Sequence, residues 1–395
     1  MKGPLSDLKV VELGTLIAGP YCARLLAEFG AEVIKIETPG EGDPLRKWRK
    51  LHEGNSLWWY AQSRNKKSVA VNLRDPDGQA IVRNLAKDAD IVVENFRPGT
   101  MEKWGLGYEA LSKDNPGLVM VRISGFGQSG PYKDRPGFGA IGESMGGMRY
   151  ITGYTDRAPV RVGISIGDSL AAMFGAIGAL TAIHHRAQSG KGQVIDVALY
   201  EAVFAMMESM LPEYGMGGFV RERSGASLPG IVPSNTYPCG DGNYVVIGAN
   251  ADSIFKRLMR AIGRPDLADD PTLASNDGRV KRTEELDRVI GEWTASHDLD
   301  HVLAILEKAE VPSGRIYSIA DILADMHYQA RGMVERHKLG DKEVLLPGIV
   351  PKLSRTPGAT EWIGPKLGEH TGEVLAALGY TEGEIEALRE RGVVG

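Results

Sequence analysis

The chain reads as an α/β protein, with a large domain built on a parallel sheet and a smaller α+β domain. Three observations predict this. Short apolar runs alternate with helical patterns over the first third of the 395 residues. A stretch dense in glycine and proline follows at 211–233, and a second, less apolar unit lies beyond it. Strand–helix–strand units of this length imply parallel strands with helices on both faces.

Taken in order, residues 8–13 form the first apolar strand and 21–29 a helix that Gly30 ends. Residues 31–36 alternate as a strand, which Pro39 and Gly40 stop. A strand at 68–73 precedes Asp75-Pro76, an N-cap followed by a first-turn proline, and the helix they open runs to about Lys87. Strands follow at 90–94 and 118–124. Residues 125–167 carry glycine or proline every few positions and read as loop. Residues 168–186 read as a long helix rich in small residues, 194–199 as a strand and 200–210 as a Met-rich helix. The second unit begins with a strand at 243–248 and is mostly helical over 280–309. Thr381-Glu382-Gly383-Glu384 is a capping box that opens a last amphipathic helix. The domains expected are 1–210, a linker at 211–233, a small domain at 234–320, and 321–395 returning to the large domain.

With 43% hydrophobic and 25% charged residues, disorder is excluded as the dominant state. A net charge of −5 argues against general nucleic-acid binding. Cys22 and Cys239 make no disulfide framework, and no leader-like apolar stretch opens the chain, so a reduced, cytoplasmic protein is expected. Residues 170–183 are the most apolar helical run. They are read as too short and too rich in small residues to span a membrane, so no membrane partner is expected. The eight histidines show no ligand spacing, and no metal is expected.

Ligands of parallel sheets bind at the carboxyl ends of the strands, which directs attention to the loops after residues 13, 36, 73, 94 and 124. Basic residues crowd several of these ends: Arg46, Lys47, Arg49, Lys50, Arg64, Lys66, Lys67, Arg74, Arg97 and Lys103. That pattern points to an anionic ligand with several phosphates. Gly125-Phe126-Gly127-Gln128-Ser129-Gly130 matches the dinucleotide-binding pattern, but Pro131 follows at once and leaves no helix to face a pyrophosphate. Gly163-Ile164-Ser165-Ile166-Gly167 matches a serine-hydrolase elbow between a strand candidate at 160–162 and the long helix, with His297 and His370 downstream. Gly142-Glu143-Ser144-Met145-Gly146 fits the same pattern. Asp168 opens the long helix. It reads either as a plain N-cap or as a nucleophile that the helix terminus keeps ionised, with Gly167 leaving room for an acyl group. Spacing does not choose between these readings.

The whole chain resembles the class III CoA-transferases, the CaiB/BaiF family that includes formyl-CoA transferase. The resemblance is carried by residues 16–20 and 30–37, by Pro39-Gly40 with Gly42-Asp43 and Arg46, and by Asn65-Lys66-Lys67-Ser68. It continues through residues 93–99, Gly125-Phe126-Gly127, Gly167-Asp168, Gly190-Lys191-Gly192-Gln193 and residues 367–371. It implies a Rossmann-like large domain, two interlocked ring-shaped subunits forming a homodimer, and no metal or permanently bound cofactor. The implied substrates are an acyl-CoA and a small carboxylic acid, with coenzyme A passing between acids through an Asp168 anhydride and an Asp168–CoA thioester. The implied CoA contacts are Ile17, Ala18, Val71, Asn72, Leu73, Arg74, Asn95, Phe96, Arg97, Lys103, Gly137 and Phe138. Likeness to the succinyl-CoA-using branch implies succinyl-CoA as donor and a small dicarboxylate as acceptor.

The chain departs from the pattern in places. Several members carry an acidic residue where Gly139 stands, with Glu143 one turn on, and some carry arginine at Thr38. A glycine-rich lid has its nearest counterpart in Gly248-Ala249-Asn250. These differences argue against formate or oxalate as substrate. α-Methylacyl-CoA racemases share the fold and use a Gly-His-Asp stretch, but Gly137-Phe138-Gly139 offers no group that could move a proton.

Overall fold

The computed structural model describes residues 3–395. Two compact units are present. One holds the residues up to Arg149, Val162–Val220 and Ala330–Gly395; the other holds Tyr150–Arg161 and Arg221–Gln329.

The first unit is built on six parallel strands: β1 (Lys9–Glu12), β2 (Glu32–Glu37), β3 (Lys66–Ala70), β4 (Ile91–Glu94), β5 (Val119–Ser124) and β6 (Val194–Ala198). Their order across the sheet is β3-β2-β1-β4-β5-β6. In the register, Val10 stands beside both Val33 and Ile91, and Val92 beside Met120. The order reverses between β1 and β4, where a doubly wound sheet opens its crevice.

Alternation along the strands sends side chains to two helical layers. On one face Val11, Val92 and Met120 pack with Ile81, Val82 and Leu85 of α2 (Pro76–Lys87) and with the C-terminal helices Thr371–Ala377 and Glu382–Glu390. Asp75 caps α2 by accepting the Asp77 N–H at 2.9 Å. Thr381 and Glu384 form the expected capping box. On the other face lie α1 (Ala18–Ala27) and α5 (Ile166–Ser189), which pack against each other. Their small residues permit close approach: a Cβ on Gly175 would stand 3.2 Å from Cys22 Sγ and from Val121 Cγ1.

Helix α5 corrects one expectation. At 24 residues with a mean hydropathy of 1.6 over its most apolar window, it is long and apolar enough to cross a membrane by length and composition. The apolar run read at 170–183 is only its middle. Its small-residue face, from Leu170 to Ala182, is buried against β5, β6 and α1, as in a core helix of an α/β layer.

The stretch 125–167 is not all loop either. It contains α4 (Gly139–Met145) and a further turn at Met148–Ile151. Glycine weakens helix propensity, but here packing prevails. A Cβ on Gly142 would sit 2.7 Å from Leu199 Cβ, and one on Gly146 2.6 Å from Val203 Cβ. Both partners belong to α6 (Leu199–Phe204), which α4 could not approach otherwise. Met210–Gly217 is likewise helical at the start of the stretch read as linker.

The second unit has a three-stranded antiparallel sheet, in the order Ser313–Arg315, Tyr244–Gly248, Ser234–Pro238. Phe255, Leu258, Leu286, Ile290 and Val302 from its helices join Tyr237, Val245 and Ile247 in a separate core.

Candidate active site

Parallel strands deliver all their outgoing loops to one edge, so the residues singled out after β1, β3, β4 and β5 share the carboxyl edge of the sheet. From β3 to β5 is four inter-strand steps of about 4.8 Å, about 19 Å in all. That suits a long, thin ligand laid across the edge.

The loop after β1, residues 14–17, is held at every residue. Lys35 Nζ donates to the Gly14 carbonyl at 2.8 Å. The Asn95 amide accepts the Thr15 N–H at 2.8 Å and donates to the Thr15 carbonyl at 2.9 Å. The Asp43 carboxylate accepts the Leu16 N–H at 3.0 and 3.2 Å. Gln62 Nε2 donates to the Ile17 carbonyl at 3.1 Å. Leu16 has φ +64°, a left-handed conformation that costs a non-glycine residue about 1 kcal/mol. Ile17 and Ala18 are buried where the loop enters α1.

Beneath this loop lies a buried ionic network. Lys35 Nζ is 2.8 Å from Glu12 and 2.9 Å from Asp43, and Lys66 Nζ is 2.7 Å from the other Glu12 oxygen. Arg46 grips Glu37 at 2.7 and 2.8 Å and lies over the Trp59 ring. Three cations thus face three carboxylates out of water. Burial alone would lower the Lys35 pKa, but Asp43, Glu12 and Glu37 outweigh it and raise it. Burial would raise Asp43, but Lys35 and the N–H groups of Leu45 and Leu16 hold it below the ordinary carboxylate range. Lys66, with burial only partly offset by Glu12, falls to about 8.

The basic cluster read from the sequence therefore divides. Arg46, Arg64 and Lys66 are buried and matched to carboxylates, Arg64 to Glu28 at 3.3 Å, and Lys67 is paired with Glu32 and Glu373. They serve the fold. Lys47, Arg49, Lys50, Arg74, Arg97 and Lys103 are exposed and have no ion pair among the described residues. These are the cations left to meet an anionic ligand.

The loop after β4 is tied from below. Glu94 accepts the Phe96 N–H at 2.7 Å and Arg122 Nε at 2.8 Å, and Arg122 also grips Glu102 in the short helix α3 (Thr100–Lys103). Burial pushes the Glu94 carboxyl up to about 7 against the pull of Arg122. Phe96 packs edge-on to Trp104 at 5.2 Å. After β3, Val71 is buried and bridges to Val394, the Asn72 N–H donates to the Val393 carbonyl at 2.8 Å, and Gln79 donates to the Leu73 carbonyl at 3.0 Å.

Asp168 is not the N-cap of its helix. Ser165 holds that position, and Asp168 stands in the first turn of α5. There the positive end of the helix dipole stabilises a carboxylate by about 0.3–1 kcal/mol. Room for the carboxylate comes from Gly139: a Cβ at 139 would lie 1.9 Å from Asp168 Oδ2. Gly167 has a different task, since a Cβ there would meet the Gly139 carbonyl at 2.9 Å. Gly137 packs on Gly125, where a Cβ would come within 2.9 Å of the Gly137 Cα, and Phe138 is 71% exposed beside them. Glu143 shares the Gly139 face of α4 one turn on; it is buried and ion-paired with Arg149 at 3.3 Å.

The hydrolase elbow loses its context. Residues 160–162 form no strand, and His370 is engaged with the Ser68 N–H at 3.3 Å. His297 and His301 stack at 4.9 Å, but no cluster of three or more metal-ligating side chains occurs among the described residues. A cavity of about 570 Å³, lined by Glu28, Phe29, Glu32, Asn65 and Trp362, opens by the amino end of β2, away from these loops.

A doubly wound sheet with an acidic side chain at a helix start and exposed cations on the same edge suits a phosphorylated ligand. The family model for CoA-transferase family III matches residues 5–371, and the chain belongs to that family. It is accordingly a class III CoA-transferase, an enzyme.

The succinyl-CoA–D-citramalate CoA-transferase of Chloroflexus aurantiacus is 52% identical, covering 99% of this chain and 98% of its own. The beta subunit of succinyl-CoA–L-malate CoA-transferase from the same organism is 41% identical over 99% and 98%. Among solved structures, a CAIB/BAIF family protein from Brucella suis superposes with a TM-score of 0.84 at 35% identity, covering 96% of this chain and 100% of that one.

Sequence reasoning missed Lys35, Asp43 and Gln62 as loop holders, and Gly139 as the seat of the carboxylate. A signal was present for Lys35. Glu12, Lys35 and Glu37 sit inside otherwise apolar strands, and a buried charge implies a buried partner.

Proposed function

We propose that the enzyme transfers coenzyme A from succinyl-CoA to a small dicarboxylic acid, with Asp168 as the nucleophile. The observation that carries this is the Asp168 carboxylate lying against Gly139 in the first turn of α5, at the carboxyl edge of the sheet. Two relatives named for succinyl-CoA, one acting on citramalate and one on malate, support the choice of acids.

Asp168 attacks the thioester carbonyl; its C–O bond forms, the C–S bond breaks, and CoA thiolate leaves behind a mixed anhydride. The thiolate then attacks the aspartyl carbonyl, forming an Asp168–CoA thioester and releasing succinate. The acceptor carboxylate attacks that thioester and expels the thiolate again. Attack of the thiolate on the acceptor's acyl carbon gives the new thioester and restores Asp168. No proton is gained or lost overall. Backbone N–H groups of the glycine loops around 125–139 stabilise each oxyanion.

CoA lies along the edge, against Ile17 and Ala18, the 71–74 loop, Asn95-Phe96-Arg97 and Lys103, and reaches Asp168 past Gly137 and Phe138. The working form is a homodimer. Met173, Phe174, Ile177 and Leu180 support this as an exposed apolar stripe on the outer face of α5, which a second copy would cover.

Asp168→Ala is expected to abolish exchange, by about 10⁴-fold or more, while Ser165→Ala retains it. Hydroxylamine trapping with peptide mass spectrometry during turnover should find the adduct on the peptide containing Asp168. Unmodified peptide under full turnover, or loss of activity in Ser165→Ala alone, would overturn the reading.

A further inference from the structure

Among the described residues, six non-glycine residues have positive φ: Leu16, Arg49, Glu53, Asn65, Glu208 and Glu310. Leu16 alone is apolar. It also lies at the topological switch point, where a parallel sheet receives its ligand. Strain in such a place persists only where the surroundings over-determine it.

The surroundings of Leu16 can be named. Its side chain packs against the cluster of Leu45, Trp59 and Tyr60. Its N–H is accepted by both oxygens of Asp43. Asp43 is itself fixed: it accepts the Leu45 N–H at 2.8 Å, faces Lys35 Nζ at 2.9 Å, and its own N–H donates to Glu37 at 2.9 Å. One buried carboxylate therefore joins the loop after β1 to the turn after β2.

We propose that Asp43 is a positioning residue for the transfer reaction: by holding the Leu16 N–H it keeps the 14–17 loop in the left-handed turn that receives the CoA thioester. Asp43 touches no substrate and acts through Leu16. The inference rests on the reading that this loop contacts CoA.

Two measurements on the full-length protein separate the inference from that reading. Hydrogen–deuterium exchange of the peptide spanning residues 12–22, with and without CoA, tests the contact itself; the expected result is protection by CoA. Steady-state kinetics of Asp43→Asn then test the positioning. KM for succinyl-CoA should rise about tenfold with kcat within about twofold, because ground-state placement of CoA is lost and the chemistry at Asp168 is not. Adding Leu16→Gly should bring KM back to within about threefold of wild type, since glycine enters the left-handed region without a steric penalty. A purely structural loss in the ionic network would not be rescued in this way. If Asp43→Asn fails to fold, Asp43→Glu keeps the counter-charge of Lys35 while displacing the acceptor oxygens, and the same split and rescue are read. CoA protection with an unchanged KM in the Asp43 variant, or without rescue by Leu16→Gly, overturns the positioning role. Absence of CoA protection removes the loop contact, and the inference with it.

Discussion

Four side chains from four places in the chain hold the loop after β1, whereas the loop after β5 runs from Gly125 to Phe138 with residues 129–136 exposed. It is tied to neighbouring elements by Asp196 on β6, which accepts the Gln128 N–H at 2.9 and 3.1 Å, and by Phe126 against the Tyr200 ring at 6.4 Å. The two loops leave the same sheet edge two strands apart. In the transfer proposed above, CoA is common to both half-reactions and the two acids differ. A rigid cradle suits the shared component, and glycine-built, open backbone suits the end where the acid changes. The difference thus divides one site into a fixed part and an accommodating part.

The comparison breaks most visibly at its rigid end. Lys35→Met removes one cation from the buried network and leaves Asp43 without its direct ion-pair partner. Breaking a buried pair on one side costs about 3–5 kcal/mol. Urea unfolding should show a loss of that size, and the surviving folded enzyme should have a raised KM for the CoA thioester. A loss below about 1 kcal/mol would place this network with exposed ion pairs and remove the basis for calling the loop rigid.

At the open end the expected cost falls on rate. Gly139→Ala places a methyl where Asp168 Oδ2 now lies. The carboxylate must turn to another rotamer, and a displaced nucleophile loses about 10- to 100-fold in kcat. Thermal stability should change little, since the conflict is with the end of one half-buried side chain. Rapid-quench measurement of succinate release on mixing with succinyl-CoA alone isolates the acylation half-reaction. An unaltered acylation rate would show that Asp168 reacts from a different rotamer.

The division was partly legible in the sequence. The strands of the parallel sheet, the cap at Asp75 and the box at Thr381 follow from alternation and local hydrogen bonding, which act over a few residues. The helix at Gly139–Met145 was not legible, because its glycines are set by contact with Leu199 and Val203 some sixty residues away. The same limit explains the basic residues. Arg46 and Arg74 look alike in a linear chain, and only folding shows that Glu37 neutralises one while the other remains exposed. The acidic residue at 168 stood out from its neighbours, yet its seat at Gly139 needed the chain to return over twenty-eight intervening residues.

The smallest effect tests where the fixed part ends. Arg97 is exposed at the head of the loop that Asn95 and Glu94 tie down, and Lys103 follows at the end of α3. If these cations meet the phosphates of CoA, each alanine substitution should raise KM about three- to tenfold at low salt, without moving kcat or the unfolding midpoint. The penalty should shrink as ionic strength rises, because exposed charges are screened within about 10 Å at 0.1 M salt. Succinyl-pantetheine carries the thioester without the nucleotide phosphates, so its KM should be indifferent to either substitution. An equal rise with both substrates would move Arg97 from the phosphates to the acyl end, and would place the boundary between the rigid and the accommodating parts on the other side of β4.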